Sequence, residues 1–208
     1  SAIINTLARL GWSKGDDEVF YLNDLIKNFK IEEVQKAGAI FDITKLDWVN
    51  SQHLANLSID DFKSHIKPFL KKIGIEIEDH PNLDLIINAM RSSGNTLSGI
   101  AESLVPYFKD IPAFDTKAID KFLSEGTGIL EDIMDILLKV DNWNETTIDS
   151  VLKNYQNEYN LPVPKVNQPI RIALTGSTKS PSLGLTLSIF GKEESIKRIQ
   201  NLINLISN

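Results

Sequence analysis

The chain has 208 residues, of which 42% are hydrophobic and 24% are charged, and it carries a net charge of -6 at pH 7. This composition is that of an ordinary folded protein and excludes the disordered and fibrous classes. Because one compact unit typically has roughly 100 to 150 residues, the length predicts two or three units with separate cores. The chain has no cysteine, which excludes disulfides and thiolate metal sites and favours a cytoplasmic location.

No apolar run approaches the roughly 20 residues that cross a bilayer, and the first residues lack the pattern of a signal peptide. We therefore expect no membrane partner. The opening sequence SAIINTL enters an apolar helical pattern without a preceding cap or turn. This predicts that the chain is a piece of a longer protein.

The charge is distributed unevenly along the chain. Residues 161–208 contain six basic and two acidic side chains, a balance of +4, whereas residues 1–160 contain 16 basic and 26 acidic ones. Phosphate neutralisation by Lys and Arg supplies most nonspecific affinity for nucleic acids. An anionic partner should therefore meet the C-terminal end, and the acidic remainder should discourage indiscriminate binding.

Apolar residues recur at i, i+3, i+4 and i+7 through most of the sequence, which predicts a mainly α protein built as a succession of small helical bundles. Asp42, Ser58 and Asp115 stand before three of these patterns as candidate N-caps. The short apolar segment 39–42 predicts a small strand. The predicted helices are 22–29, 43–57, 58 to about 72, 82–90, 96–108, 115–124, 127–140 and 145–158.

The segment after residue 160 has a different character. Three prolines within 161–169 predict an extended connector, since proline cannot continue a helix from within. RIALTG at 171–176 is then a short apolar segment that ends at Gly176, STKSPS is a loop, and a basic helix follows Gly191.

The sequence does not contain a residue pattern that is typical of a catalytic site. The three histidines are scattered, there is no HExxH, GxSxG or cysteine nucleophile, and the GTG at 126–128 lacks the pattern of a phosphate-binding loop. The sequence predicts no catalytic residue and no metal ligand, and the isolated acidic pairs are interpreted as solvated loop carboxylates.

Three segments, in order, carry a family resemblance. NTLARLGWSKGDDEVF at 5–20, FDITKLDWVN at 41–50 and RIALTGSTKSPSLGLTLSIFGKEESIKRI at 171–199 resemble bacterial-type glutamyl-tRNA synthetases. In the third segment, Phe190 stands where that family has leucine. The matches span nearly the whole chain, but neither the HIGH nor the KMSKS signature of the catalytic domain occurs.

The resemblance implies a non-catalytic, tRNA-binding C-terminal piece of such an enzyme. It implies a stem-contact region at 1–57, a first helical anticodon-binding subdomain at 58–114 and a second one at 115–208. The partner would be tRNA-Glu, and the protein is expected to be a monomer. No cofactor is expected on this piece, while ATP and Mg²⁺ belong with the absent catalytic domain. The piece alone should be inactive.

The resemblance also implies which residues contact the first two anticodon bases: Arg171, Ser180, Pro181 and Leu183. The chemistry is suitable, because arginine offers a planar fork for base edges or phosphate and unpaired bases splay onto protein side chains. Proline would fix the loop and leucine would offer an apolar surface. The residues alone favour a different interpretation, in which Arg171 pairs with a local acid and Leu183 belongs to the core.

The KLDWVN motif provides a second candidate contact. Lys45 could touch phosphates of the tRNA stem, whereas Trp48 is expected to fill the core beneath its helix. Discriminating members of the family carry an arginine near the SSGNTL segment to read the third anticodon base. Ser93 or Gly94 occupies that position here, with Arg91 about one turn earlier as a candidate substitute.

If Arg91 does not substitute, the missing long cation would relax rejection of the different third base of tRNA-Gln, and on that condition we hypothesise a non-discriminating enzyme that also charges tRNA-Gln. The alternative of another class is a helical protein-interaction module with no RNA role, whose acidic surface meets a basic partner.

Overall fold

A computed structural model describes residues 1–36, 38–77, 80, 82–111 and 113–207. Within these residues the backbone forms eleven α-helices, one short 3-10 turn at Ile31–Glu33 and no strand. The mainly α prediction is confirmed. The helices are α1 (Ala2–Arg9), α2 (Leu22–Asn28), α3 (Ile43–Ala55), α4 (Ile59–Lys72), α5 (Leu83–Met90), α6 (Leu97–Phe108), α7 (Thr116–Phe122), α8 (Gly128–Leu138), α9 (Glu145–Glu158), α10 (Val163–Thr175) and α11 (Leu183–Ser207).

The three predicted N-caps are confirmed. The side chain of Asp42 accepts from the first backbone N–H groups of α3, Ser58 accepts from the N–H of Asp61, and Asp115 accepts from the N–H of Ala118. Each cap satisfies donors that a helix start cannot satisfy internally. Short-range chemistry therefore determines where these helices begin.

The strand predicted at 39–42 does not form. Ile40 is 90% exposed and Phe41 is 46% exposed, and their segment is irregular backbone that ends at the N-cap Asp42. A strand needs a neighbouring strand for its backbone hydrogen bonds, and the described residues contain none.

The extended connector predicted at 161–169 is also wrong. Pro162 is the N-cap of α10 and Pro164 lies in its first turn, where a missing N–H costs nothing. Pro169 lies inside the helix and is buried, so burial offsets the hydrogen bond that it cannot donate. Arg171 consequently lies on a helix rather than in an extended segment.

The structure divides into two compact units. The first contains residues 1–77 and 94–103, and the second contains residues 78–93 and 104–208. Compactness does not by itself assign a role, so the three functional segments stay a prediction.

In the first unit, Asn5 is fully buried and joins α1 to the rest of the unit. Its Nδ2 donates to the carbonyl of Glu18 at 3.0 Å, and its Oδ1 accepts from the N–H of Phe20 at 2.6 Å. Nε2 of His53, on α3, lies 3.3 Å from the same Oδ1. A buried amide must find such partners, because an unpaired one costs about 1–3 kcal/mol.

In the second unit, α7 to α11 surround one apolar core. Fully buried leucine and isoleucine side chains each contribute about 1.5–3 kcal/mol relative to an exposed position. α11 is broken at Gly191, whose φ of 74° and ψ of 168° are not helical. The core includes Leu130, Ile133, Leu137, Ile148, Ile170, Leu174, Leu183, Leu187 and Ile199.

We predict that the first unit loses stability below about pH 6.5. Burial lowers the pKa of His53, so the folded state holds this ring neutral while the unfolded chain takes up a proton near its ordinary pKa. The contribution is full above the unfolded pKa and falls by up to about 1.4 kcal/mol per pH unit below it, until the folded pKa is reached. Thermal unfolding followed from pH 8 to pH 5 measures this slope.

In that experiment His53→Gln should flatten the slope, whereas His65→Gln should not, because His65 is exposed on α4. An unchanged slope in His53→Gln would contradict the prediction.

Candidate nucleic-acid interface

The side chain of Arg171 projects from α10 and is fixed by the loop at 177–182. Its Nε donates to Ser180 Oγ at 2.8 Å, and its Nη2 donates to the carbonyl oxygen of Pro181 at 3.2 Å. Its Nη1 makes no hydrogen bond with a described residue and is not sealed from solvent. Two of the three nitrogens are therefore anchored, and the third is available to a ligand.

The sequence left open whether Arg171 pairs with a local acid. In the described part of the chain its partners are a hydroxyl and a carbonyl, and no carboxylate pairs with it. Burial lowers the pKa of Arg171, with a smaller opposite effect from Tyr107, although arginine remains charged at any ordinary pH. The site thus presents a positive charge that no carboxylate among the described residues neutralises.

The 177–182 loop is held by its own hydroxyls. Ser180 Oγ lies 3.0 Å from the Pro181 carbonyl oxygen and 3.2 Å from Thr186 Oγ1. Thr186 Oγ1 also lies 2.9 Å from the carbonyl of Ser182 and is fully buried. The structure therefore brings Arg171, Ser180 and Pro181 together, and their contact with anticodon bases stays a prediction.

Leu183 departs from the expectation. Its side chain is only 3% exposed and belongs to the core of the second unit. It therefore offers no apolar surface to a base in this structure, and its observed role is to fasten the start of α11. The α10 residues that precede the loop bury their apolar face in the same core.

An aromatic row extends beside Arg171. The rings of Tyr107 and Phe190 stack with centroids 5.1 Å apart, and the Arg198 guanidinium lies 4.3 Å from the Phe190 centroid. Burial raises the pKa of Tyr107 to about 12, against smaller lowering effects of Thr186 and the two arginines. The Tyr107 hydroxyl, although beside Thr186, has no hydrogen bond of acceptable geometry among the described residues.

The row borders an open cavity of about 500 Å³. Because Tyr107 and Arg198 both lie against the ring of Phe190, its stacking surface is used within the protein. Arg198 itself is 8% exposed and donates to Glu194 and to the carbonyl of Leu174. It acts as a structural cation.

The other cations of the basic tail differ in availability. Lys165 pairs with Glu125 at 2.7 Å, Lys197 pairs with Glu194 at 3.2 Å, and Lys192 donates to the carbonyl of Val140. Lys179, within the loop, is exposed, and its ammonium has no partner among the described residues. The local charge of +4 therefore overstates the charge that a ligand can reach.

In the first unit, Lys45 is engaged by Glu18. Their ion pair measures 2.8 Å, and Arg9 contacts the other carboxylate oxygen at 2.8 Å. The hydrogen bond from Lys45, with a further one from Arg9, outweighs burial and holds the pKa of Glu18 below its usual value. The Lys45 side chain is still 42% exposed, so a phosphate contact stays a prediction.

The expectation that Trp48 fills the core is wrong, because this residue is 45% exposed. The buried face of α3 carries Val49 and His53, four residues apart. Trp48 precedes Val49 by one residue and is therefore rotated about 100° from that face.

The residues near the SSGNTL segment are placed as follows. Arg91 is the C-cap of α5 and is half-buried, and Ser93 is exposed after it. Gly94 belongs to the first unit, where an added Cβ would lie 3.2 Å from Ile100 Cγ1. Ser93 is thus a position where a longer side chain has room.

In the described part of the chain, no cluster of three or more His, Asp or Glu residues is arranged to hold a metal ion. None of the described helices combines the length and apolarity needed to span a membrane.

Sequence reasoning missed several residues that shape the loop. Glu145 and Asp149 contact the junction between the loop and α11 from α9, and Tyr107 lies beside Thr186, the α11 residue that bonds to Ser182. Ser182 carries a local signal, as a serine immediately before an apolar helical run. The contacts of Glu145, Asp149 and Tyr107 join residues far apart in the sequence, so no short-range pattern reveals them.

The fold agrees with comparisons to known proteins. The anticodon binding domain family matches residues 61–203, which is more than half of the chain. The chain belongs to this family of anticodon-binding domains.

The relatives found are glutamate–tRNA ligases. Glutamate–tRNA ligase 1 of Syntrophus aciditrophicus (strain SB) is 37% identical over 206 residues, which cover 99% of this chain and 44% of that ligase. The enzyme of Francisella philomiragia is 32% identical over 213 residues, with coverages of 100% and 45%. The crystal structure of a glutamate tRNA ligase from Elizabethkingia meningosepticum matches with a TM-score of 0.80 at 28% identity, covering 99% of this chain and 41% of that one. The chain spans less than half the length of these relatives.

We predict that Gly176→Ala destabilises the second unit by about 1–3 kcal/mol. Gly176 ends α10 in the left-handed region, with φ of 75°, and a Cβ there would lie 2.6 Å from Ile111 Cγ2 and 2.9 Å from the Ala113 carbonyl oxygen. Chemical denaturation measures the loss. Gly126→Ala is the matched control, because Gly126 also has a positive φ but open space around it. Equal losses in both variants would show that the close packing at Gly176 is unimportant.

Proposed function

We propose that this chain binds tRNA-Glu and reads its anticodon. The observation that carries the proposal is the arrangement at Arg171, where two nitrogens are anchored to the loop and Nη1 is available. A guanidinium held in advance loses little freedom when it meets a base edge or a phosphate. The family membership and the tRNA-ligase relatives support the same function.

The proposal extends to the longer protein. The relatives are glutamate–tRNA ligases, more than twice the length of this chain. We infer that the whole protein is an aminoacyl-tRNA synthetase that joins glutamate to tRNA at the expense of ATP. ATP and Mg²⁺ would be bound by the part that this chain does not contain, and this chain alone would not activate glutamate.

The distribution of charge is consistent with recognition of particular anticodon bases rather than with general adhesion to RNA. The whole chain is acidic, with a charge of -6, so it should repel a polyanion at most of its surface. Lys179 and Arg171 provide positive charge at the loop. Binding would therefore depend on a few contacts and on which bases reach them.

The finer proposal concerns the third anticodon base. The position where discriminating relatives are expected to carry a long cation is Ser93 or Gly94 here, and the exposed Ser93 hydroxyl is too short to replace an arginine. On this basis we propose a non-discriminating enzyme that accepts tRNA-Gln as well as tRNA-Glu. The support is this substitution alone.

We predict that Arg171→Ala weakens binding of tRNA-Glu by about tenfold or more, since one good base contact is worth about 1–3 kcal/mol. The loss should shrink when the first two anticodon bases are changed, because the contact is then already missing. Fluorescence titration of labelled tRNA with the chain measures both affinities at one fixed salt concentration.

Lys153→Ala is the matched control, because Lys153 is an exposed cation of the same unit on α9. It should weaken all tRNAs slightly and equally through the lost charge. If Arg171→Ala behaves like this control, the anticodon role is wrong. A chain that is indifferent to tRNA would support a helical protein-interaction module instead.

We further predict that Ser93→Arg increases discrimination between tRNAs that differ at the third anticodon base. The unmodified chain should bind tRNA-Glu and a version carrying the third anticodon base of tRNA-Gln with affinities within about threefold of each other, and the arginine should widen this gap to about tenfold. Charging of both tRNAs by the longer enzyme is the companion measurement. Strict refusal of tRNA-Gln by the unaltered enzyme would contradict the proposal.

A further inference from the structure

Two carboxylates of α9 lie beside the end of the 177–182 loop. Glu145 and Asp149 are four residues apart and so occupy the same face of the helix. Ser182 Oγ donates to Glu145 Oε1 at 2.6 Å, and the backbone N–H of Gly184 donates to Asp149 Oδ1 at 3.1 Å. Both bonds connect α9 to the junction between the loop and α11.

Residues at this junction accept hydrogen bonds from the first backbone N–H groups of α11. The first N–H groups of a helix have no partner within it. Ser182 Oγ accepts from the N–H of Leu185 at 3.3 Å, and Asp149 takes the N–H of Gly184 from outside the helix. Negative charge is also favoured at this positive end of the helix dipole.

The approach of the two helices is close at this point. A Cβ on Gly184 would overlap the Asp149 carboxylate and would lie 2.8 Å from the carbonyl oxygen of Glu145. Trp143 reinforces the approach, because its Nε1 donates to the carbonyl of Leu187 at 2.9 Å. The start of α11 therefore has little freedom to move relative to α9.

A continuous series of contacts leads from this junction to the guanidinium. The carbonyl of Ser182 lies 2.9 Å from Thr186 Oγ1, which lies 3.2 Å from Ser180 Oγ. Ser180 Oγ accepts from Arg171 Nε at 2.8 Å. A displacement of the junction would therefore move the Ser180 hydroxyl, which fixes the orientation of the Arg171 guanidinium.

We infer that Glu145 and Asp149 are positioning residues for anticodon reading, acting through the loop without touching RNA. The inference rests on the proposed function. Carboxylates beside an RNA site oppose binding, since they repel phosphates. The hydrogen bonds of Glu145 and Asp149 fix the geometry of the loop. The same carboxylates weaken the attraction between the site and RNA phosphates.

The test compares two tRNAs that differ only at the second anticodon base and measures the ratio of their dissociation constants with the 208-residue chain. Asp149→Ala and Glu145→Ala each remove one hydrogen bond and one negative charge. We expect the ratio to fall about fivefold in each, as for loss of one ordinary hydrogen bond. Affinity for the tRNA with the changed base should rise slightly, because a repulsive charge is gone.

Asp149→Asn retains an oxygen acceptor for the Gly184 N–H and should keep the ratio within about twofold of the unmodified chain. Asp135→Ala, an exposed carboxylate of α8, controls for charge and should raise both affinities equally. Far-ultraviolet circular dichroism confirms folding, and Glu145→Ala, at the first position of α9, decides the matter if Asp149→Ala does not fold.

An unchanged ratio in a folded alanine variant overturns the inference, as does a loss in Asp149→Asn equal to that in Asp149→Ala. An unmodified chain whose two dissociation constants are equal overturns the proposed function itself. The two failures are therefore distinguishable.

Discussion

A half-buried guanidinium imposes the main constraint on the second unit. A charge that is withdrawn from water needs hydrogen-bond partners, and Arg171 finds them in the Ser180 hydroxyl and the Pro181 carbonyl rather than in a carboxylate. The loop has to close over the side chain for this to happen. The neutral partners accept from Nε and Nη2 without cancelling the charge, and Nη1 makes no hydrogen bond with a described residue.

The surrounding elements follow from that requirement. Gly176 turns the chain out of α10 with a positive φ, and its carbonyl accepts from the N–H of Asp115 at 2.8 Å, which ties the turn to the start of α7. At the other end of the loop, Ser182 caps α11 while it donates to Glu145. Both ends of a short polar segment are thus attached to helices whose opposite faces build the apolar core.

The sequence predicts the locally determined features well. Asp42, Ser58 and Asp115 act on N–H groups two or three residues away, so their roles could be inferred from neighbouring residues alone. The resemblance similarly pointed to Arg171 and Ser180, which the structure joins.

The failures concern properties that only the folded chain determines. Prolines at 161–169 fit both a connector and a helix start, and the choice depends on a core that buries Pro169. Leu183 is buried where a base-facing side chain was expected, and Trp48 is exposed where a core side chain was expected. Burial depends on which helical face meets the core, and the sequence pattern did not determine that face. The tail charge was counted correctly, but the partners that occupy Lys165 and Arg198 come from distant parts of the sequence. No local pattern contains that information.

The break at Gly191 divides one helical segment into two parts that pack into the same core. Leu183 and Leu187 are buried before the break, at the end of the segment that follows the loop, and Ile199 and Leu202 are buried after it. Because a residue with φ of 74° and ψ of 168° ends the helical repeat, rotation of the first part is not transmitted rigidly to the second. Substitutions that turn the first part of α11 can therefore leave the packing of Ile199 and Leu202 in place.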